Sequence, residues 1–222
     1  MRIILIAVML LLLAIPASAT AIQYSSKDAF LAAVEAPYLF ENFSQYAYGE
    51  LVAQSLAVEK ENYLVVLSAA HRLFSGDGNM SINCANDLLI IDFSSSLIEN
   101  HSPITAFGAN FWPTDFSGHN LVGPIKVTLS DGSVYQSETA YNGAFVGFIS
   151  ADGSAFQTIE VTVPARPGDP YSWPTLDNLY AGSVQNHMGG DNPPIPNPEP
   201  SSLLLLGTGI CGIGIVVRNA KK

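Results

Sequence analysis

Ile125-Lys126-Val127-Thr128-Leu129-Ser130-Asp131-Gly132-Ser133-Val134-Tyr135-Gln136-Ser137-Glu138 is the stretch that decides the fold. Ile125, Val127 and Leu129 alternate with Lys126 and Thr128, the period of a strand with one dry face and one wet face. Asp131-Gly132 then supplies a tight turn, and Val134 to Glu138 returns as a second strand. The same pattern recurs outward from this hairpin. Phe156 to Val163 alternates Ile159, Val161 and Val163 with Thr158, Glu160 and Thr162, after a turn at Asp152-Gly153. Further strands are predicted over Tyr38–Phe43, Tyr63–Ala69, Leu88–Phe93, Ile104–Trp112, Gly143–Ile149 and Leu176–Ala181. Only one helix is legible, over 26–35. It opens on Ser25 with Asp28 three residues on, carries Phe30, Ala33 and Val34 as an apolar stripe, and stops at Pro37. Many short strands and almost no helix predict an all-β chain, a single antiparallel β-sandwich of jelly-roll type over residues 20–182. A parallel α/β sheet would need long crossover helices, which the sequence lacks.

The two ends read differently. Met1-Arg2, the 13-residue apolar run Ile3–Ile15 and Pro16-Ala17-Ser18-Ala19 make a secretory signal over 1–19, with Ala17 and Ala19 as the small-x-small cleavage residues. A spanning helix needs about 20 apolar residues, so a cleaved signal is favoured over an anchor. After a Pro/Gly-rich linker over 183–197, the 17-residue run 201–217 is apolar on all sides, and Arg218, Lys221 and Lys222 follow it. That is the pattern of a short membrane helix with a cytoplasmic basic tail.

Charge narrows the function classes. Between 20 and 200 the chain has five basic and nineteen acidic residues, a net of −14. Such a surface repels nucleic acid and anionic lipid, and suits neutral sugars or divalent cations. Cys84 is the only cysteine between the two ends, so no internal disulfide is expected there. It is expected to be a small buried apolar side chain.

Asn197-Pro198-Glu199-Pro200-Ser201-Ser202, then the leucine run, a glycine-rich stretch and the basic end, resembles a PEP-CTERM sorting signal over 198–222. The order of the three parts at the end of an exported chain carries the resemblance. It implies that an exosortase recognises Pro198, Glu199 and Pro200 and cuts near them, after a transient stay in the inner membrane. It also implies export past signal peptidase to the envelope or cell surface of a bacterium that makes exopolysaccharide. More loosely, the blocks Ile104–Trp112, Val127–Ser133, Phe145–Ser150 and Leu176–Leu179 resemble β-sandwich domains found with such tails, similar in pattern to lectin-like jelly rolls.

No catalytic signature is present: there is no Gly-x-Ser-x-Gly elbow, His-Glu-x-x-His pair, phosphate loop or dinucleotide fingerprint. His71, His101, His119 and His187 are scattered without metal spacing and are expected at the surface. His119 follows Asp115 at i+4, but in a loop, where helical spacing does not apply. The expectation is therefore a non-enzymatic surface protein of the polysaccharide matrix. Two alternatives are a carbohydrate-binding module, with calcium as a candidate cofactor, and a glycoside hydrolase using paired acids. Trp112, Trp173 and Tyr171, near Phe111 and Phe116, are candidates for a sugar-stacking platform; otherwise the tryptophans fill the core. Glu41, followed by Asn42, could share calcium with Asp177, beside Asn178, if their strands are neighbours. Asp77 in Ser75-Gly76-Asp77-Gly78-Asn79 is a second calcium candidate, against plain turn chemistry.

Overall fold

The alternation of Ile125, Val127 and Leu129 is realised as a strand whose residues are buried in strict turn with Lys126 and Thr128. The computed structural model describes residues 21–49, 52–82, 84, 87–97, 101–115, 117–139, 143–165 and 171–184. All of these fall in one unit, Ala19–Asn186. The signal residues Ala17 and Ala19, the linker, the sorting residues Pro198, Glu199 and Pro200, and the predicted membrane helix 201–217 lie outside the described residues. Among the described residues no helix is long and apolar enough to cross a membrane.

The strands, in chain order, are β1 (Ala21–Tyr24), β2 (Leu39–Glu41), β3 (Ser55–Lys60), β4 (Tyr63–Ser68), β5 (Leu73–Ser75), β6 (Met80–Ile82), β7 (Leu89–Asp92), β8 (Ala106–Asp115), β9 (Gly123–Leu129), β10 (Val134–Thr139), β11 (Ala144–Ser150), β12 (Thr158–Thr162) and β13 (Ser172–Gly182). They form two antiparallel sheets. The seven-stranded sheet runs β1-β11-β8-β13-β6-β5, with β2 also on β13; the six-stranded sheet runs β10-β9-β12-β7-β4-β3. One core lies between them. Phe107, Phe111, Phe148, Leu176 and Leu179 from the first sheet meet Val65, Leu67, Ile91, Val127 and Ile159 from the second. Burial of this many large apolar side chains is what holds two sheets together without a disulfide. In the hairpin between β9 and β10, Gly132 has a φ of +85°. A residue without a Cβ takes that left-handed conformation at no steric cost.

The helix α1 (Lys27–Ala33) is capped one residue later than expected: Ser26, not Ser25, accepts the Ala29 N–H at 3.3 Å. Asp28 stands in the first turn, where a negative charge suits the helix dipole. The helix lays Phe30 on the outer face of the seven-stranded sheet. There Phe30, Phe145, Ile149 and Tyr180 form a second, smaller apolar cluster. Gly147 of β11 makes this approach possible, since a Cβ on it would lie 2.7 Å from the Phe30 ring. The helix thus covers one end of that outer face. The other end, toward Thr114 and Trp173, is left for something else.

Candidate functional site

Cross-strand register defines what the uncovered end presents. Trp173 stands opposite Thr114, and Thr175 stands opposite both Trp112 and Ser81. Directly paired residues point to the same side of a sheet. Their chain neighbours Phe111 and Leu176 belong to the core, so Ser81, Trp112, Thr114, Trp173 and Thr175 face outward. Three hydroxyls link across β8, β13 and β6. Thr114 Oγ1 lies 2.6 Å from Thr175 Oγ1, which lies 2.8 Å from Ser81 Oγ. All three side chains are buried, and they form the floor of a pocket of about 450 Å³.

The walls come from three loops, the short strands β5 and β6 and the start of β13. Trp173 and Phe74 supply ring surface from β13 and β5. Tyr48 leans over the mouth, with its hydroxyl 3.9 Å from where a Cβ would sit on Gly118. The chain around Tyr48 is fixed along β5 by the Gly49 N–H to Ser75 carbonyl bond (3.0 Å), the Val52 N–H to Leu73 carbonyl bond (2.9 Å) and the Ser75 hydroxyl donating to the Ala47 carbonyl. Asp77 and Asn79 line the pocket from the turn between β5 and β6. The Asn79 amide is packed against Gly76, where an added Cβ would come within 2.2 Å of its Oδ1. The turn between β8 and β9 adds Ser117 and Asn120.

That last turn is held by Asp115. Its Oδ1 accepts the Ser117 and His119 N–H groups at 2.8 and 2.9 Å, and its Oδ2 lies 3.3 Å from His119 Nδ1. Partial burial pushes the Asp115 carboxyl up, but the His119 and Ser117 N–H groups and the imidazole outweigh it and hold it below the usual value. Asp115 and His119 therefore meet at i+4 through a loop, which sequence spacing alone gave no reason to expect. His119 itself is exposed, as is His71, which pairs with Asp87 at 3.3 Å. His101 is not at the surface as expected. Its ring is 10% exposed, with Nε2 3.2 Å from Glu59. His187 lies outside the described residues. Cys84 is partly exposed rather than buried.

The predicted platform is redistributed. Trp173 lines the pocket. Trp112 does not offer a stacking face: it is 6% exposed, with its benzo edge against Gly143 and its Nε1 without a hydrogen-bond partner among the described residues. It fills space on the outer face of the sheet rather than in the main core. Tyr171 is 61% exposed just ahead of β13 but is not among the residues lining the pocket.

The calcium candidates separate. β2 and β13 are indeed neighbours, yet Glu41 stands opposite Leu179, and both point into the core. Asp177 stands opposite Asn110, on the outer face. A bulge between Asp177 and Tyr180, with Asn178 at a φ of +50°, separates the two positions. Glu41 is already satisfied. Its Oε2 holds Lys60 Nζ at 2.8 Å and its Oε1 accepts the Phe43 N–H at 2.7 Å. Asp177 is turned onto its own neighbour, accepting from the Asn178 N–H and side-chain amide. Burial raises its carboxyl against the smaller opposing effect of the Asn178 N–H. Among the described residues no three His, Cys, Asp or Glu side chains gather as a metal site.

Tyr48, Phe74, Ser81 and Asn120 were not anticipated as site residues, and Asn79 only as part of a calcium-binding turn. The pocket joins strands of three residues to loops distant in sequence, and no local pattern announces that assembly. No protein-family model matches the chain, and no curated protein matches it.

Proposed function

We propose that this is a non-enzymatic, exported protein of a bacterial polysaccharide matrix that holds saccharide in the outer-face pocket. The pocket carries the reading. Ring surface from Trp173, Tyr48 and Phe74 stands over a floor of linked hydroxyls, with the Asn79 and Asn120 amides beside it. A sugar has an apolar CH face that stacks on rings and hydroxyls that both donate and accept. This combination of surfaces suits it. A lectin-like jelly roll is the fold type we assign to the two sheets.

Binding without cleavage is favoured by the acid count at the site. Asp77 is the one carboxylate lining the pocket among the described residues, and the common glycosidase mechanisms use two. Calcium is left out of the reading because Asp77 stands alone as a carboxylate in the pocket among the described residues, and Glu41, the other candidate, lies outside it and holds Lys60. Address follows from the ends of the sequence: signal peptidase acts at Ala17–Ala19, and an exosortase-type enzyme acts at Pro198–Pro200 after a stay in the inner membrane.

Fractionation of cells with and without the sorting enzyme tests the address, with mass spectrometry of the mature C-terminus. Loss of the segment beyond the Pro-Glu-Pro motif, dependent on that enzyme, is expected. A chain that keeps its tail and stays in the inner membrane in both strains would show the address to be wrong.

A further inference from the structure

Building on the saccharide reading above, we infer that the pocket selects sugars bearing a protonated amine, as in a hexosamine glycan, over neutral and uronic-acid sugars. Asp77 is exposed at the pocket's edge and makes no hydrogen bond or ion pair with any described residue. Among the described residues, neither Lys nor Arg lines the pocket. A carboxylate in such a position gains most from a ligand that brings its own positive charge. The three rings add to this, because an ammonium is attracted to the face of Trp, Tyr or Phe. Net charge acts in the same direction, since the −14 between 20 and 200 draws cations toward the surface and repels uronates. The hydroxyl floor is what makes the ligand a sugar rather than a bare ammonium: Thr114, Thr175 and Ser81 present a row of hydroxyls that several ring hydroxyls of a sugar can meet together, where a small alkylammonium reaches one at most.

Calorimetric titration of the full chain, held in a polyoxyethylene-ether detergent that carries no sugar, tests this. Three probes are compared in mildly acidic buffer, with choline as a sugar-free control: a glucosamine tetrasaccharide, its N-acetylated counterpart and a galacturonate tetrasaccharide. The amine-bearing probe should bind roughly threefold to tenfold tighter than the N-acetylated one, the scale of one partly exposed charge pair plus a cation–ring contact. The uronate should bind least, and added salt should narrow the differences. Asp77→Asn should erase the preference between the amine-bearing and N-acetylated probes. Equal binding of the amine-bearing and N-acetylated probes, or a preference that survives Asp77→Asn, would overturn the inference and leave the saccharide reading standing. Failure of all three probes to bind would overturn that reading as well. Choline binding as tightly as the glucosamine probe would remove the sugar from the assignment.

Discussion

Replacing Lys60 by Met should destabilise the fold through Glu41, a residue on a different sheet. Glu41 is 1% exposed, and among the described residues its carboxylate has one cationic partner, Lys60 Nζ at 2.8 Å. Removing one partner of a fully buried pair costs about 3–5 kcal/mol, because the other charge is left uncompensated. Two features reduce that figure here. The Lys60 side chain is 44% exposed, so water already screens the pair. Glu41 also keeps its bond from the Phe43 N–H at 2.7 Å. A loss of about 2 kcal/mol remains, equivalent to a drop of roughly 4–8 °C in melting temperature for a chain of this size. Met retains the apolar stem of Lys, which isolates the charge from packing. Equilibrium urea unfolding of wild type, Lys60→Met and the double variant Glu41→Gln/Lys60→Met is the assay. The double variant removes the buried charge and keeps an acceptor for Phe43, so it should recover most of the loss. A single variant within about 0.5 kcal/mol of wild type, or a double variant no better than the single, would refute the argument.

Other outcomes follow from the same geometry. Calcium and chelator should leave the wild-type melting temperature unchanged, since Lys60 occupies the place beside Glu41 that a cation would take and Asp77 has no second carboxylate beside it in the pocket among the described residues; a calcium-dependent rise would restore the metal reading. Gly76→Ala should drive the Asn79 amide aside and weaken saccharide binding with little change in unfolding, as calorimetry and melting curves can separate. Gly147→Ala should cost about 1–3 kcal/mol by overpacking α1 against β11, measured by urea unfolding; its Cβ would meet the Phe30 ring at 2.7 Å and Phe145 at 2.9 Å. Asp177 and Asp152 should show opposite pH dependence in scanning calorimetry. The folded Asp177 binds its proton more tightly than the unfolded chain does, so stability falls as pH rises from about 3.8 through the folded value. Asp177→Asn should then raise the melting temperature at neutral pH and give no gain in strong acid. The Ser154 hydroxyl and N–H and the Ser150 hydroxyl hold Asp152 down to about 2. Its contribution is therefore present above about pH 4 and fades toward pH 2.

The sandwich was legible in sequence where strands alternate cleanly over five or more residues, as in β9 and β12. It was least legible where strands are short or lie at an edge. β5 and β6 have three residues each, too few for a period to show. β3 carries Glu59 and Lys60 on a largely exposed ribbon, so its polarity hid a true edge strand. β1 begins two residues after the expected cleavage point, where attention falls on processing rather than folding. Those gaps matter for the site, because β5 and β6 build one wall of the pocket. Trp173 and Asp77 were both singled out in sequence, for different chemistries, and the fold brings them to one cavity. The two readings of Trp112, platform or filler, stayed open in sequence because a tryptophan beside a proline loop reads the same whether its ring is open or covered. The Glu41–Asp177 pairing failed on the bulge at Asn178, which shifts the strand's register against its neighbour and which no residue pattern reveals.

The chain's two tryptophans allow the most direct test of the pocket. Trp112→Phe leaves Trp173 as the only indole, inside the proposed site, and Trp173→Phe leaves Trp112, which does not line it. Each variant is titrated with extracellular polysaccharide from the producing cells, and tryptophan emission is followed. The account predicts a saturable shift from the Trp173 reporter and none from the Trp112 reporter. A silent Trp173, or a response confined to Trp112, would contradict it.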